Sequence, residues 1–437
     1  MPGSMTWRVR VGIVVAGGML AGSAHAAAPL DAEENELRVA LEAEAPAMEA
    51  TLSEWVAINT GSWNPSGLER LAALLADALA ALEFAVEVEP GASPGLPGLE
   101  DARTGPLLVA RREARRPPLG RATRVLLVGH YDTVFEPDSP FQELRRGASQ
   151  RATGPGVADM KGGLVVLFWA LRGLARTGDL DRADWTVLLN ADEEIGSLVS
   201  RGAIEREAQR AEYGFVFEAA QDGGAMVRSR RGLGQFHLDI DGTAAHAGSS
   251  HAKGRSALAE LAHKILQIEA LTDYDRGITL NVGVARGGSK RNIVPDHAEA
   301  WVDLRYDRAE QGEQIRRELE AIAQRAQVDG TRTTLWGTLH RPPKAATPEM
   351  AGLLEAHAGV AEALGIGLPA PVHAGGGTDG SLMAAVGLPT LDSMGVVGAD
   401  AHTRLEHLEL QSLPERAILA ALLLRRLIRS DAPPAGR

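Results

Sequence analysis

His130 and Asp132, in His130-Tyr131-Asp132, follow an apolar run, Val125-Leu126-Leu127-Val128. Alternate side chains on extended backbone point the same way, so Asp132 can sit behind the His130 imidazole. A metal-bound imidazole has its second nitrogen held by such an acceptor. Four more clusters follow. Asp159 lies in Gly154-Pro155-Gly156-Val157-Ala158-Asp159-Met160-Lys161-Gly162-Gly163; Glu193 and Glu194 follow Val187-Leu188-Leu189-Asn190; Glu218 follows Phe215-Val216-Phe217; His402 lies in Gly398-Ala399-Asp400-Ala401-His402-Thr403. Each alone reads equally well as a solvated turn. Together they supply two histidines and three carboxylates for a pair of divalent cations, plus a spare glutamate. Two ions about 3.5 Å apart need a shared anion, and Asp159, on glycine-rich backbone, suits that place. Adjacent glutamates on extended chain face opposite sides, so one of Glu193 and Glu194 can bind metal while the other faces water and substrate.

Two other motifs do not survive inspection. Gly154–Gly163 has Asp159 where a dinucleotide loop needs its third glycine, and it lacks the Lys-Ser/Thr pair of a nucleotide loop. Gly91-Ala92-Ser93-Pro94-Gly95 matches a serine-hydrolase elbow in form only, because Pro94 and Pro97 deny it the helix that must follow.

The positioning elements are short apolar strands alternating with helices. Strands are expected at 125–128, 185–189, 215–217 and 388–391, helices at 31–59, 164–174 and 413–428. This is an α/β pattern, a sheet covered on both faces with ligands at the strands' carboxyl ends. Between the halves the texture changes. Strands at 236–240, 278–285, 298–306 and 333–339 alternate with helices at 257–271 and 310–326, the order β-α-β-β-α-β of a split-βαβ sandwich. The expected organisation is a catalytic domain in two parts, 27–230 and 343–437, with an α+β ferredoxin-like domain, 231–342, inserted as a lid. Its open sheet face or edge is a natural place to dimerise.

With 437 residues and a formal charge of −12, the chain has room for two domains and no basic stripe, so nucleic acid is not an expected partner. Cysteine is absent, which excludes disulfides and thiolate ligands and leaves His, Asp and Glu to hold a metal. Residues 1–26 read as a cleavable signal peptide: Arg8 and Arg10, a short apolar stretch, then Ala24-His25-Ala26 at the cut. The expectation is a periplasmic or secreted protein without a membrane anchor after processing.

On these residues the chain resembles the dizinc exopeptidase family of glutamate carboxypeptidase (carboxypeptidase G), aminoacylase and succinyl-diaminopimelate desuccinylase. It is most similar to the carboxypeptidase G group, through Gly375-Gly376-Gly377-Thr378-Asp379, Asn292-Ile293-Val294-Pro295 and Arg305 in Val302-Asp303-Leu304-Arg305-Tyr306. The resemblance implies a zinc-exopeptidase catalytic domain with a mixed, largely parallel sheet, and two Zn2+ ions, with manganese or cobalt as N/O-site alternatives. It implies His130 and Glu218 on one zinc, Glu194 and His402 on the other, Asp159 bridging and Asp132 orienting His130. Glu193 would be the general base. His246, in Gly242-Thr243-Ala244-Ala245-His246-Ala247-Gly248, would polarise the substrate carbonyl and in dimeric relatives reaches the partner's site. Asn292, Arg305 and Gly377 would bind substrate, the first two as a pair receiving its free carboxylate. The implied reaction is hydrolysis of an amide next to a terminal carboxylate, in a small peptide or N-acyl amino acid, by a homodimer joined through the lid.

Glutamate is the expected released residue, yet the lysine that selects it in glutamate-specific relatives corresponds here to Ala225. Arg228, Arg230 and Arg231 are candidate replacements. The alternatives are an aminoacylase or dipeptidase preferring neutral residues, and an inactive periplasmic metal- or ligand-binding protein. The presence of both Glu193 and His246 weighs against the last.

Overall fold

The structure, a computed structural model, describes residues 28–95, 101–118, 121–147 and 150–430. The signal peptide read at 1–26 lies outside them.

A six-stranded sheet runs in the spatial order Ala85–Glu89, Leu107–Arg112, Ala183–Asn190, Thr123–His130, Tyr213–Val216, Thr390–Leu391. Leu107–Arg112 pairs antiparallel with both its neighbours, Ala85–Glu89 and Ala183–Asn190, and the remaining neighbours are parallel. The continuous apolar runs follow from burial on both faces. Val125 and Leu127 pack in one core cluster, with helices Lys161–Arg176 and Ser412–Arg429. Leu126 and Val128, pointing the other way, pack in a second cluster with helices Arg201–Arg210 and Asp379–Ala385. Each buried leucine or valine contributes about 1.5–3 kcal/mol, so the register of the His130 strand is held from both sides.

The single helix expected at 31–59 is two, Ala32–Ala43 and Ala45–Val56. Pro46 stands in the first turn of the second, where its missing N–H costs nothing; inside one continuous helix it would remove a hydrogen bond and clash with the preceding turn.

Residues 232–341 form the split-βαβ layer. Strands Gly232–Asp241, Thr279–Gly287, His297–Tyr306 and Arg332–Arg341 are antiparallel and lie in the order second, third, first, fourth. Helices Ala257–Glu269 and Ala309–Gln324 cover one face, burying Phe236, Leu238, Val302 and Leu304. The other face leaves Trp301 and Trp336 exposed. The chain enters this lid past Arg230 and leaves it at Arg341. The two connections pair as an antiparallel bridge, Arg230 N to Lys344 O at 2.9 Å and Lys344 N to Arg230 O at 3.0 Å.

Candidate metal centre and active site

His130 is the last residue of its strand and lies in register with Asn190, the last residue of the neighbouring parallel strand. The Glu193–Glu194 turn therefore starts beside His130. Glu218 follows the strand on the other flank. Three ligand candidates thus emerge from the carboxyl ends of adjacent parallel strands, where open α/β sheets bind their ligands. Asp159 comes from the loop before helix Lys161–Arg176, and His402 from a loop near the last strands, with φ +64°.

The five side chains converge. His130 Nε2 is 3.0 Å from Asp159 Oδ1 and 3.5 Å from Glu218 Oε1. His402 Nε2 is 3.1 Å from Asp159 Oδ2 and 3.0 Å from Glu194 Oε2. Two trios, His130–Asp159–Glu218 and Asp159–Glu194–His402, each bring their ligand atoms within 4.8 Å of one another and share Asp159, one oxygen to each. Glu194 Oε1 is buried and has no hydrogen-bond partner among the described residues. Burial and the nearby Asp159 push the Glu194 carboxyl up to about 8, and burial raises Glu218 as well. Hydrogen bonds to Asp159 and Glu194 push the His402 imidazole up to about 11. Carboxylates crowded this way in low dielectric need more positive charge than two imidazoles supply. The orphaned oxygen, the all-N/O donor set and the shared aspartate fit two divalent cations.

Asp132, fully buried, does more than orient His130. His130 Nδ1 lies 3.2 Å from the Asp132 carbonyl oxygen and 3.3 Å from Oδ1, and Oδ1 accepts the Glu193 N–H at 3.2 Å. Its Oδ2 accepts the Glu194 N–H at 3.2 Å and the Ser62 hydroxyl at 2.8 Å. One carboxylate thereby positions a candidate ligand and the glutamate turn together. Glu406, also buried, accepts N–H groups from Gly156 (3.1 Å), Ala158 (2.9 Å) and Asp159 (3.0 Å). It supports the Asp159 loop; its nearness in sequence to His402 is no guide to its partners.

Glu193 belongs to neither trio but lies close enough for His130 and Glu218 to act on it electrostatically. Burial pushes its carboxyl well above the ordinary range, and Arg341 pulls against that. Arg341 Nη2 donates to Glu193 Oε1 at 2.7 Å and to Ser197 Oγ at 2.9 Å, while Nη1 donates to Asp379 Oδ1 at 2.7 Å. Nothing in the sequence marked Arg341. It ends an alternating strand where a surface charge would be unremarkable.

The expected substrate residues do not gather at one place within the chain. Arg305 is opposite Leu233, at the hinge end of the lid sheet; Nε and Nη2 fork onto Asp303 (2.7 and 3.0 Å) and Nη1 donates to Gly375 O at 3.2 Å. His246 and Asn292 lie beyond the opposite end, where His246 pairs with Ile293 and Ala247 N donates to Asn292 O at 3.0 Å. The ten-residue strand Gly232–Asp241 separates the two ends, about 30 Å at roughly 3.3 Å per residue. Asn292 and Arg305 are therefore not a pair within one chain. His246 is exposed, and its Nδ1 accepts N–H groups from Gly248 and Ser249, both at 3.1 Å. With Nδ1 accepting, the neutral ring carries its N–H on Nε2.

Gly377 is a packing position. A β-carbon there would lie 2.5 Å from Leu233 Cδ1 and 3.0 Å from Arg341 Cγ. Of the arginines considered as stand-ins for the selecting lysine, two are engaged. Arg230 is buried on Asp392 and Gly376 O, and Arg231 is bound to Asp307, Thr279 and Gly277 O. Arg228 is exposed, and Ala225 is buried.

Residues 228–331 match the peptidase dimerisation domain of the M20 type. Carboxypeptidase G2 from Pseudomonas sp. strain RS-16 is 30% identical over 422 residues, covering 96% of this chain and 98% of that protein. Among solved structures, an M20-family metallo-carboxypeptidase from Sulfolobus solfataricus superposes with a TM-score of 0.69 at 18% identity, over 87% of this chain and 99% of the other. A dinuclear metal-binding M20 peptidase from Bacillus subtilis superposes with a TM-score of 0.62 at 15% identity, over 89% and 99%.

Proposed function

This chain belongs to the M20 family of metallopeptidases, and from that premise we propose that it hydrolyses the amide bond next to a free C-terminal carboxylate, releasing glutamate from small peptides or N-acyl conjugates. The observation that carries the reading is Asp159 shared between two His–carboxylate trios. His130 and Glu218 would hold one cation, Glu194 and His402 the other. When bound, two such ions, zinc in our reading, supply Lewis acidity and bring the pKa of a coordinated water towards neutrality.

The chain's own groups do the rest. With Glu193 Oε1 held by Arg341, the second carboxylate oxygen is the one to take a proton from the attacking water and return it to the leaving nitrogen. Arg305 sits on the lid wall, where a guanidinium can receive a substrate carboxylate. Its Asp303 fork already aligns it. His246 Nε2–H is a donor for the developing oxyanion, and its distance from its own metal centre supports a homodimer in which each lid serves the partner's site. Two M20 features support the same assembly: the matched dimerisation segment and the lid's open sheet. We also propose export through the leader at 1–26; among the described residues no helix is long and apolar enough to cross a membrane.

A second reading, release of a neutral residue, is favoured by one observation: Ala225 replaces the selecting lysine, while Arg230 and Arg231 are committed elsewhere. Metal analysis combined with N-acyl-glutamate, -leucine, -alanine and -phenylalanine tests both. Two metal equivalents with fastest turnover of the glutamate conjugate support the first reading, and a neutral conjugate leading supports the second. Arg305→Ala should impair these substrates far more than the corresponding C-terminal amides; equal losses would remove carboxylate capture from its role.

A further inference from the structure

Arg341 is the last residue of the last lid strand, yet its guanidinium is buried inside the catalytic domain. Its fork spans two carboxylates, Asp379 Oδ1 and Glu193 Oε1, each at 2.7 Å, and it also reaches the Glu193 carbonyl at 3.2 Å. Asp379 is in turn bound by Asn190 Nδ2 and Ser197 Oγ, so the far side of the fork is anchored to the sheet. The stem is confined too, since Gly377 leaves no room for a β-carbon between Leu233 and the Arg341 methylenes.

We infer that Arg341 is a positioning residue for Glu193: anchored through Asp379, it holds one carboxylate oxygen so that the other faces the reacting water. The inference rests on reading Glu193 as the general base. A planar guanidinium can hold two carboxylates at a defined separation, and a lysine ammonium, a single point charge, cannot. A glutamate side chain left free must instead find the reactive rotamer by chance, and loss of alignment costs turnover with little effect on substrate affinity. Because the guanidinium sits on the connection out of the lid, base alignment and lid attachment share one side chain.

The test is a double-mutant cycle on the metal-loaded dimer. Arg341→Met leaves Asp379 buried without its partner, so the charge-compensated Arg341→Met/Asp379→Asn is made beside it to preserve the fold, checked by melting and by metal content. The expected result is kcat lowered about 100-fold, within the range of general-base contributions, and KM changed less than about threefold. Arg341→Lys should recover only part of the loss. In a Glu193→Gln background the same Arg341 substitution should cost nothing further, because its effect passes through the carboxylate. Multiplying losses in that background, or a KM effect with kcat intact, would overturn the inference and make Arg341 a substrate contact. Wild-type turnover by Glu193→Gln alone would instead remove Glu193 as the base, and the inference with it.

Discussion

Asp132 accepts the backbone N–H of Glu193 at 3.2 Å through the same oxygen that lies 3.3 Å from His130 Nδ1. Every partner of this carboxylate is a donor: the imidazole, two backbone amides and the Ser62 hydroxyl. Ligand orientation and turn geometry are thus linked through four oxygen lone pairs.

Asp132→Asn should break that link. An amide group must turn an N–H2 towards donors, leaving buried N–H groups unpaired. Metal affinity should fall about 10–100-fold, the usual cost of losing a ligand's supporting partner, with turnover falling alongside. Competition with a chelator measures it; wild-type affinity would show that the His130 orientation does not depend on Asp132.

Glu193→Ala should retain two metal equivalents and lose turnover by about 10²–10⁴-fold. Glu193 takes no part in either trio, so metal content and activity separate in this variant. Elemental analysis beside kcat reads both. Loss of metal along with activity would place Glu193 among the ligands.

Subunit mixing tests the long reach of His246. Glu193→Ala and His246→Ala homodimers should each be nearly inactive. A hybrid pairs an intact Glu193 on one chain with an intact His246 on the other. Random exchange makes half the dimers hybrid with one working site in two, so about a quarter of wild-type activity should return. Mixtures that exchange subunits and stay inactive would restrict His246 to its own chain.

His357, on helix Pro348–Ala363, supplies a pH dependence of its own. It is 1% exposed, its Nε2 has no partner among the described residues, and burial with Arg416 nearby depresses its imidazole to about 3 from 6.5. The folded pKa lies below the unfolded one, so between pH 6.5 and about 3 the unfolded chain binds a proton that the folded chain refuses. Stability is lost as pH falls through that window, at up to about 1.4 kcal/mol per unit. His357→Leu should flatten this part of the profile, measured by urea unfolding at pH 7 and pH 5. An unchanged difference between the two pH values would acquit His357.

Most of the candidate ligand set was legible before folding because its members are local signals: His130, Glu194 and Glu218 follow apolar strands, and Asp159 sits on glycine-rich backbone. The βαββαβ order of the lid was legible for the same reason, through alternation along single strands. The break at Pro46 could have been read from proline's missing N–H alone. Arg341 could not, since an arginine at a strand end looks the same whether it meets solvent or Glu193. Nor could the target of Glu406, which is a loop some 250 positions away.

What the sequence determined by itself is the inventory and its order: residue types, the strand ends that present them, and the absence of any thiol to compete. Periodicity and burial are properties of neighbouring residues, so they are written locally. The tertiary structure alone decided that Asp159 turns one oxygen to each histidine, that Arg341 rather than solvent meets Glu193, and that His246 and Arg305 stand at opposite ends of a strand. Those outcomes depend on which distant segments share a sheet and in what register, and such pairings are selected by the packing of the whole core.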